Sequence, residues 1–246
     1  MSLLNVAAGF AAETIEGRVL PFRQVEVSTP VPSFIVDMKV QEGAVVKAGQ
    51  PLAQLYVKLD ELEMKRAKAV LERREFEARG VKSLFDSKIL PEAKAMEARI
   101  ELDLARLNFE TAAEQVRLRT LLAPIDGMVV ERYREVGEAV QASQRIFRIV
   151  DQSKVYILCT AKPGRLATTA LGSQRAVWFP ELGSGEAPRQ AEVVFLDPCV
   201  DATGNLRIKL LLDNPDGRLH GGLKAQVDAP PEATQPPLPS PQPTTK

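Results

Sequence analysis

The longest regular pattern in the chain is an apolar stripe with alternating three- and four-residue spacing across residues 58–120. It runs through Met64, Ala67, Leu71, Ala78, Val81 and Phe85, with Arg74 as the one intruder. It resumes at Ala95, Ala98, Leu102, Ala105, Phe109, Ala112 and Val116 without a break. Such spacing marks two helices packed along a narrow seam, as in a two-stranded coiled coil. Alternate alanines let the backbones approach closely, and arginines and glutamates crowd the remaining positions. Residues 86–91 lie between the arms, with Pro91 suited to the first turn of the second helix. At 1.5 Å per residue, arms of about 28 residues predict a hairpin roughly 40 Å long.

The flanks of this hairpin repeat each other. Pro30 corresponds to Pro124, Gly43 to Gly137, Val46 to Val140, Gln50 to Gln144 and Leu55 to Ile149, at a constant offset of 94 residues. Each copy is strand-rich: Phe34, Val36, Met38 and Val40 alternate with Ile35, Asp37, Lys39 and Gln41, and glycines at 43, 49 and 137 mark turns. One copy is too short to bury a core, whereas two make a small sandwich. The hairpin is therefore an insertion, and the halves 14–57 and 121–151 meet across it. The segment Thr14–Val27 reads as a short strand entering the first half.

After residue 151 short strand patterns return, at 155–159, 175–179, 190–196, 206–212 and 223–227, with a brief helical stretch at 164–171. Their spacing predicts a small antiparallel barrel over 152–229. The expected fold class is mostly β with one coiled-coil helical hairpin. Residues 1–13 read as a poorly ordered leader with neither the basic flank of a signal peptide nor the apolar run of a membrane span. Residues 230–246 read as a proline-rich disordered tail.

Composition narrows the function. The chain has 246 residues, with 32 basic and 32 acidic side chains, so no basic excess is available for nucleic acid. Cys159 and Cys199 are too few for a disulfide framework or a zinc site, and no obligatory disulfide is expected. The one histidine, His220, stands in a glycine-rich turn without a nucleophile nearby. Carboxylate pairs such as Asp60 with Glu61 and Asp197 with Asp201 fit charged helix faces and loops, and Gly183-Ser184-Gly185 precedes no helix signal. No catalytic, metal-binding or cofactor-binding residue is assigned, and the expectation is a non-enzyme.

The run from Val40 to Ala53 resembles the first half of a lipoyl or biotinyl carrier domain, and Ala123–Gly127 with Val136–Val140 resembles the second. In carriers a tight turn bearing the modified lysine joins the halves. Here a hairpin of some 60 residues takes that place, an arrangement similar to the membrane fusion proteins, the HlyD-like periplasmic adaptors of tripartite pumps. Asp37-Met38-Lys39-Val40 mimics a biotinylation signature, but Lys39 precedes the glutamate–glycine turn and reads as an ordinary exposed lysine. Residues 213–223 resemble the closing hairpin of the adaptor barrel. Two departures stand out: Thr203-Gly204-Asn205 replaces the usual Arg-Thr pair, and Gly80 and Pro91 stand where hairpin tips tend to carry Arg and Ser, although Leu84 matches the tip leucine. The membrane-proximal domain of longer adaptors is not visible after Asp228.

The resemblance implies a split lipoyl-like, barrel-sandwich hybrid domain in a periplasmic protein associated with the inner membrane. It implies an adaptor joining an inner-membrane transporter, of the resistance-nodulation-division type by preference, to an outer-membrane channel. Self-association into a ring would complete the conduit. The alternatives are an adaptor of an ATP-driven or type I secretion exporter, and a lipoyl or biotinyl carrier relative. For partner contact the expected surface is the hairpin tip: Leu84, Ser87, Lys88, Ile89 and Leu90.

Overall fold

The computed structural model describes residues 14–166, 169–183 and 187–228. The expectations for the leader 1–13, the tail 230–246 and, within Gly183-Ser184-Gly185, Ser184 and Gly185 lie outside these residues. Strands and helices follow in the order β1 (Thr14–Ser28), β2 (Ser33–Met38), β3 (Val45–Val46), β4 (Pro51–Leu55), α1 (Lys58–Asp86), α2 (Glu92–Arg117), β5 (Thr120–Leu122), β6 (Gly127–Arg132) and β7 (Ala139–Val140). Then come β8 (Arg145–Ala161), α3 (Pro163–Leu166), β9 (Gln174–Trp178), β10 (Arg189–Leu196), β11 (Leu206–Asp213) and β12 (Lys224–Asp228). The chain divides into two units, residues 24–150 and residues 1–23 with 151–246, and β1 and β8 each give one end to each unit.

In the first unit the sequence repeat becomes a pseudo-twofold pairing. Ser33 and Phe34 of β2 pair with Val140 and Ala139 of β7, while Gly127 and Met128 of β6 pair with Val46 and Val45 of β3. The β2–β4 register, Ile35 with Leu55 and Met38 with Ala53, recurs 94 positions later as Val129 with Ile149 and Arg132 with Phe147. Even the bulge recurs, after Ile35 and again after Val129. Equivalent side chains fill one core: Ile35 and Val129, Val46 and Val140, Leu52 and Ile146, Leu55 and Ile149 are all buried. Neither half encloses this set alone, which is why the halves must meet. Along β2 the buried member is Ile35, and Phe34 and Val36 face outward. The bulge shifts the alternation there, and Phe34 stacks on Tyr56 with ring centroids 4.8 Å apart.

The helical arms are 29 and 26 residues long. Every seam position is buried or half-buried except Phe85 near the tip, and Ala67, Ala105 and Ala112 are fully buried. Arg74 keeps its seam position because its charge is met from both arms: Nη1 donates to Glu77 at 2.8 Å and to Glu101 at 2.7 Å.

In the second unit the strands run β1-β12-β9-β10-β11-β8, and β8 pairs in turn with β1. Ile15, Val19, Ile157, Cys159, Val177, Val193, Leu210 and Val227 fill its core. β1 does enter the first half, where Val27 joins the core, but its N-terminal part, read as belonging with that half over 14–57, packs in the second unit. Ile15 and Val19 point into the second unit's core, and Thr14–Arg18 pair with Lys224–Asp228. Gly17 lies between them against Cys159: a Cβ there would collide with the Cys159 Sγ and come within 3.1 Å of the Leu158 carbonyl. The helix read over 164–171 is Pro163–Leu166, and Leu171-Gly172 is a turn in which glycine takes φ +79°. Asn214 is the buried polar organiser of the 213–223 segment, its Oδ1 accepting from Leu219 N at 3.1 Å and its Nδ2 donating to Gln152 O at 2.9 Å. The two cysteines are unpaired, with Cys159 buried and Cys199 exposed.

Candidate docking site on the helical hairpin

The hairpin is tied to the first unit at its base. Arg119, just after α2, sets Nε 2.9 Å from Asp60 Oδ2 on the first turn of α1, and its Nη1 donates to Pro32 O at 3.2 Å. Both partners of this ion pair are largely shielded from water, so removing either one would leave the other's charge uncompensated, unlike the exposed pairs along the arms. Beside it, Leu55 N donates to Arg119 O at 2.7 Å and Thr120 Oγ1 donates to Gln54 Oε1 at 2.9 Å. The carboxylate that looked like an ordinary helix-face residue is thus the fastening of the rod.

At the far end α1 closes with a Schellman motif. Ile89 N donates to Leu84 O at 2.9 Å and Lys88 N to Phe85 O at 2.8 Å, with Lys88 in the left-handed region at φ 59°. Such a motif normally places glycine where Lys88 stands and brings the side chains of its third-last and second-following residues, here Leu84 and Ile89, to the same corner. Leu84 is 44% exposed and Ile89 68% exposed. Leu90 is half-buried, and Ser87 turns its hydroxyl back to Ser83 O at 2.9 Å. Pro91 is the N-cap of α2, one residue before the expected position. The five tip residues therefore form one turn, with an apolar corner and the Lys88 ammonium beside it.

Two features of the hairpin escaped sequence reading. Below the tip, Ala78, Val81, Phe85, Ala95, Ala98 and Leu102 line a cleft of about 280 Å³ between the arms, because alanines face one another where larger residues would fill the seam. The outer side of α2 also carries a second apolar row, Met96, Ile100, Leu104 and Leu107, all exposed. Its spacing of four, four and three was visible in the sequence, but the stronger seam period masked it.

The groups weighed for chemistry have structural uses. Asp201 accepts from Thr203 N, Thr203 Oγ1 and Asn205 N, and these bonds hold its carboxyl below the usual range. Asp197 pairs with Arg207 at 2.9 Å, and His220 is an exposed turn residue. Burial pushes the Cys159 thiol up to about 12. Among the described residues no cluster of three or more His, Cys, Asp or Glu could hold a metal ion, and no helix is long and apolar enough to cross a membrane.

A barrel-sandwich built from two repeated halves, with a helical hairpin between them, defines the class. The CzcB-like, barrel-sandwich hybrid domain family matches residues 23–151, more than half of the chain. The chain belongs to that family. Among curated relatives, the solvent efflux pump periplasmic linker SrpA of Pseudomonas putida is 25% identical over 85% of this chain and 58% of its own length. The cobalt-zinc-cadmium resistance protein CzcB of Cupriavidus metallidurans is 23% identical over 60% of this chain and 30% of its own. The chain thus spans less than two thirds of the curated relatives it matches. A MacA–MexA chimeric protein with the Pseudomonas aeruginosa MexA α-hairpin domain shares the fold at a TM-score of 0.78 and 20% identity, covering 88% of this chain and 80% of that one. The membrane fusion protein Spr0693 of Streptococcus pneumoniae R6 does so at 0.72 and 16% identity, covering 88% and 99%.

Proposed function

We propose that this protein is an adaptor of a tripartite efflux pump, lying in the periplasm against the inner membrane and linking a transporter there to an outer-membrane channel. The observation that carries the reading is the rod itself: two helices clamped to the sandwich by Arg119 and Asp60, ending in a turn that exposes Leu84 and Ile89. An apolar corner at the end of a rod is a docking surface for another protein. Relatives named as efflux pump periplasmic linkers support the same reading. The adaptor performs no catalytic step; it holds two machines in register.

The finer assignments belong to the same proposal. The sandwich halves are 24–57 and 121–150, the hairpin is 58–120, and residues 14–23 join 151–228 in a second domain. In that last domain the return pairing of β8 to β1 supports a closed six-stranded barrel. Copies assemble side by side into a ring, with Met96, Ile100, Leu104 and Leu107 of one rod covered by the next. The tip residues Leu84, Ser87, Lys88, Ile89 and Leu90 face the channel.

The test is efflux in cells lacking the native adaptor, complemented with Leu84→Asp combined with Lys88→Glu. Helix content and melting temperature are expected to hold while transport is lost; transport surviving both changes would remove the tip from the docking site. Identifying the transporter that co-purifies from native membranes separates a resistance-nodulation-division pump from an ATP-driven or type I exporter.

A further inference from the structure

The side of α1 turned away from the seam has an apolar row of its own. Leu62, Ala69 and Phe76 recur there seven residues apart, and the large ring of Phe76 is 73% exposed. Single apolar residues on a surface are ordinary, but a second row along an arm already packed on its partner is an unpartnered face. The hairpin therefore has an apolar row at each outer edge: this one on α1, and Met96, Ile100, Leu104 and Leu107 on α2.

Opposite charges flank the two rows. Over residues 62–79 the outer side of α1 presents Lys65, Arg66, Arg73 and Arg79 against a single acid, Glu72. Over residues 93–111 the outer side of α2 presents Glu97, Asp103 and Glu110 and no base. Four of these groups have a partner on their own helix: Arg66 with Glu63 at 2.7 Å, Arg73 with Glu77 at 3.4 Å, Glu72 with Lys68 at 3.9 Å and Glu97 with Lys94 at 2.7 Å. Exposed pairs of this kind are worth little. Among the described residues, Lys65, Arg79, Asp103 and Glu110 have no opposite charge within ion-pairing distance.

The heights of the two rows also match. From the centre of the turn at residue 89, Phe76 lies 13 residues down α1 and Leu104 lies 15 residues down α2. At 1.5 Å per residue, rods standing side by side at equal height bring these two to within about 3 Å in height. Counted the same way, Asp103 falls between Arg79 and Arg73, and Glu110 between Arg73 and Lys65.

We propose that each outer row is covered by the other row on a second copy: α2 of one rod lies along α1 of the next, with Phe76 packed on Leu104 and Leu107 and with Asp103 and Glu110 set between Arg79, Arg73 and Lys65. The two faces differ, so the contact is heterologous and repeats from copy to copy. Pairing of like faces would set base against base or acid against acid, which excludes an isologous dimer. The proposal deepens the ring reading and rests on it for its setting, but it concerns the sides of the rod rather than the tip.

The experiment is sedimentation of the full chain over a concentration series, and the unaltered chain is expected to self-associate. Arg73→Glu with Arg79→Glu, and separately Asp103→Lys with Glu110→Lys, are each expected to weaken association about tenfold or more, because like charges then face each other. Mixing the two double variants restores assembly, since each supplies the sign that the other has lost, and that recovery also shows both to be folded. Leu84→Asp with Lys88→Glu at the tip leaves self-association unchanged, so failure of the linkage reading and failure of this one are told apart. Disulfide trapping in a Cys199→Ser background reads the geometry. Phe76→Cys with Leu104→Cys is expected to give a ladder extending beyond dimers on mild oxidation, and neither substitution alone a cross-link. A chain that stays monomeric and gives no ladder would overturn the proposal. So would undiminished association of the charge variants, a mixture that stays apart, or a dimer trapped by Phe76→Cys or Leu104→Cys alone.

Discussion

The amide of Gly43 donates to the carbonyl of Val129 at 2.8 Å, and 94 residues later the amide of Gly137 donates to the carbonyl of Ile35 at the same distance. The two bonds are one contact seen twice, and each joins opposite halves of the sandwich. Gly43 and Gly137 both hold positive φ, at 84° and 89°, a conformation that costs a residue with a Cβ more than it costs glycine. Lys47 N to Gln50 Oε1 at 3.1 Å and Gln141 N to Gln144 Oε1 at 2.9 Å repeat the relationship in the following turn. Since the Gly43 and Gly137 bonds and the β2–β7, β3–β6 and β4–β5 pairings all cross between halves, the sandwich folds as one cooperative body, with the hairpin leaving and re-entering it at Val57 and Leu118.

Excising the hairpin tests that statement. Replacement of Leu59–Arg119 by a Gly-Asn turn is expected to leave a cooperatively melting β-protein, followed by circular dichroism. A product without a thermal transition would show that the halves need the rod in order to pair.

The symmetry has one defect with a measurable cost. Gly49 takes φ 81° at its turn, while its counterpart Ser143 takes φ 64° with a Cβ. Lys88 at the hairpin tip is likewise left-handed at φ 59°. Ser143→Gly and Lys88→Gly are each expected to stabilise the fold by about 1 kcal/mol, less the greater entropy glycine loses on folding. Chemical denaturation reads the difference, and a loss of stability in both would contradict the strain.

Gly17 and Cys159 are expected to be coupled. Gly17→Ala drives a methyl group into the Cys159 sulfur and lowers stability by roughly 1–3 kcal/mol. Cys159→Ala removes the sulfur, so the double variant should recover part of the loss. Additive losses in the double-mutant cycle would refute the contact.

The thiols give a pH signature. Cys199 is exposed and should react with iodoacetamide in the native protein, whereas Cys159 should react only on unfolding. The folded Cys159 keeps its proton to about 12, while the unfolded thiol releases it near its ordinary value of 9.0. Above that lower value the unfolded state binds fewer protons than the native one, so this group's stabilising contribution is present below pH 9 and falls as pH rises towards 12. The decline in melting temperature over that interval should be shallower in Cys159→Ala; an identical decline would exclude the linkage.

Breaking the Asp60–Arg119 clamp from one side strands a shielded charge. Asp60→Asn is therefore expected to destabilise the base of the hairpin by about 3 kcal/mol, seen as faster amide exchange in the first turn of α1. Exchange unchanged from the native protein would show that the rod is held by packing instead.

Reading order explains what could be seen in advance. The seam from Met64 to Val116 and the repeat from Pro30 to Ile149 are encoded by spacing along the chain, and spacing survives without coordinates. The periodicity also carried the turn at 86–91, but not the left-handed Lys88, since lysine is not a residue that announces that conformation. The same dominance of the seam hid the outer row from Met96 to Leu107.

By itself, then, the order of residues determined the two halves and the rod between them, because each depends on local period along the chain. Tertiary structure decided which unit claims Thr14–Arg18, what Gly17 touches, how Asp60 and Arg119 fasten the rod, and that Arg18 faces Lys224. Those relationships join positions from about 60 to more than 200 residues apart. Cross-strand register and buried ion pairs at such separations are set by the competition of whole cores for apolar side chains, which no stretch of sequence states alone.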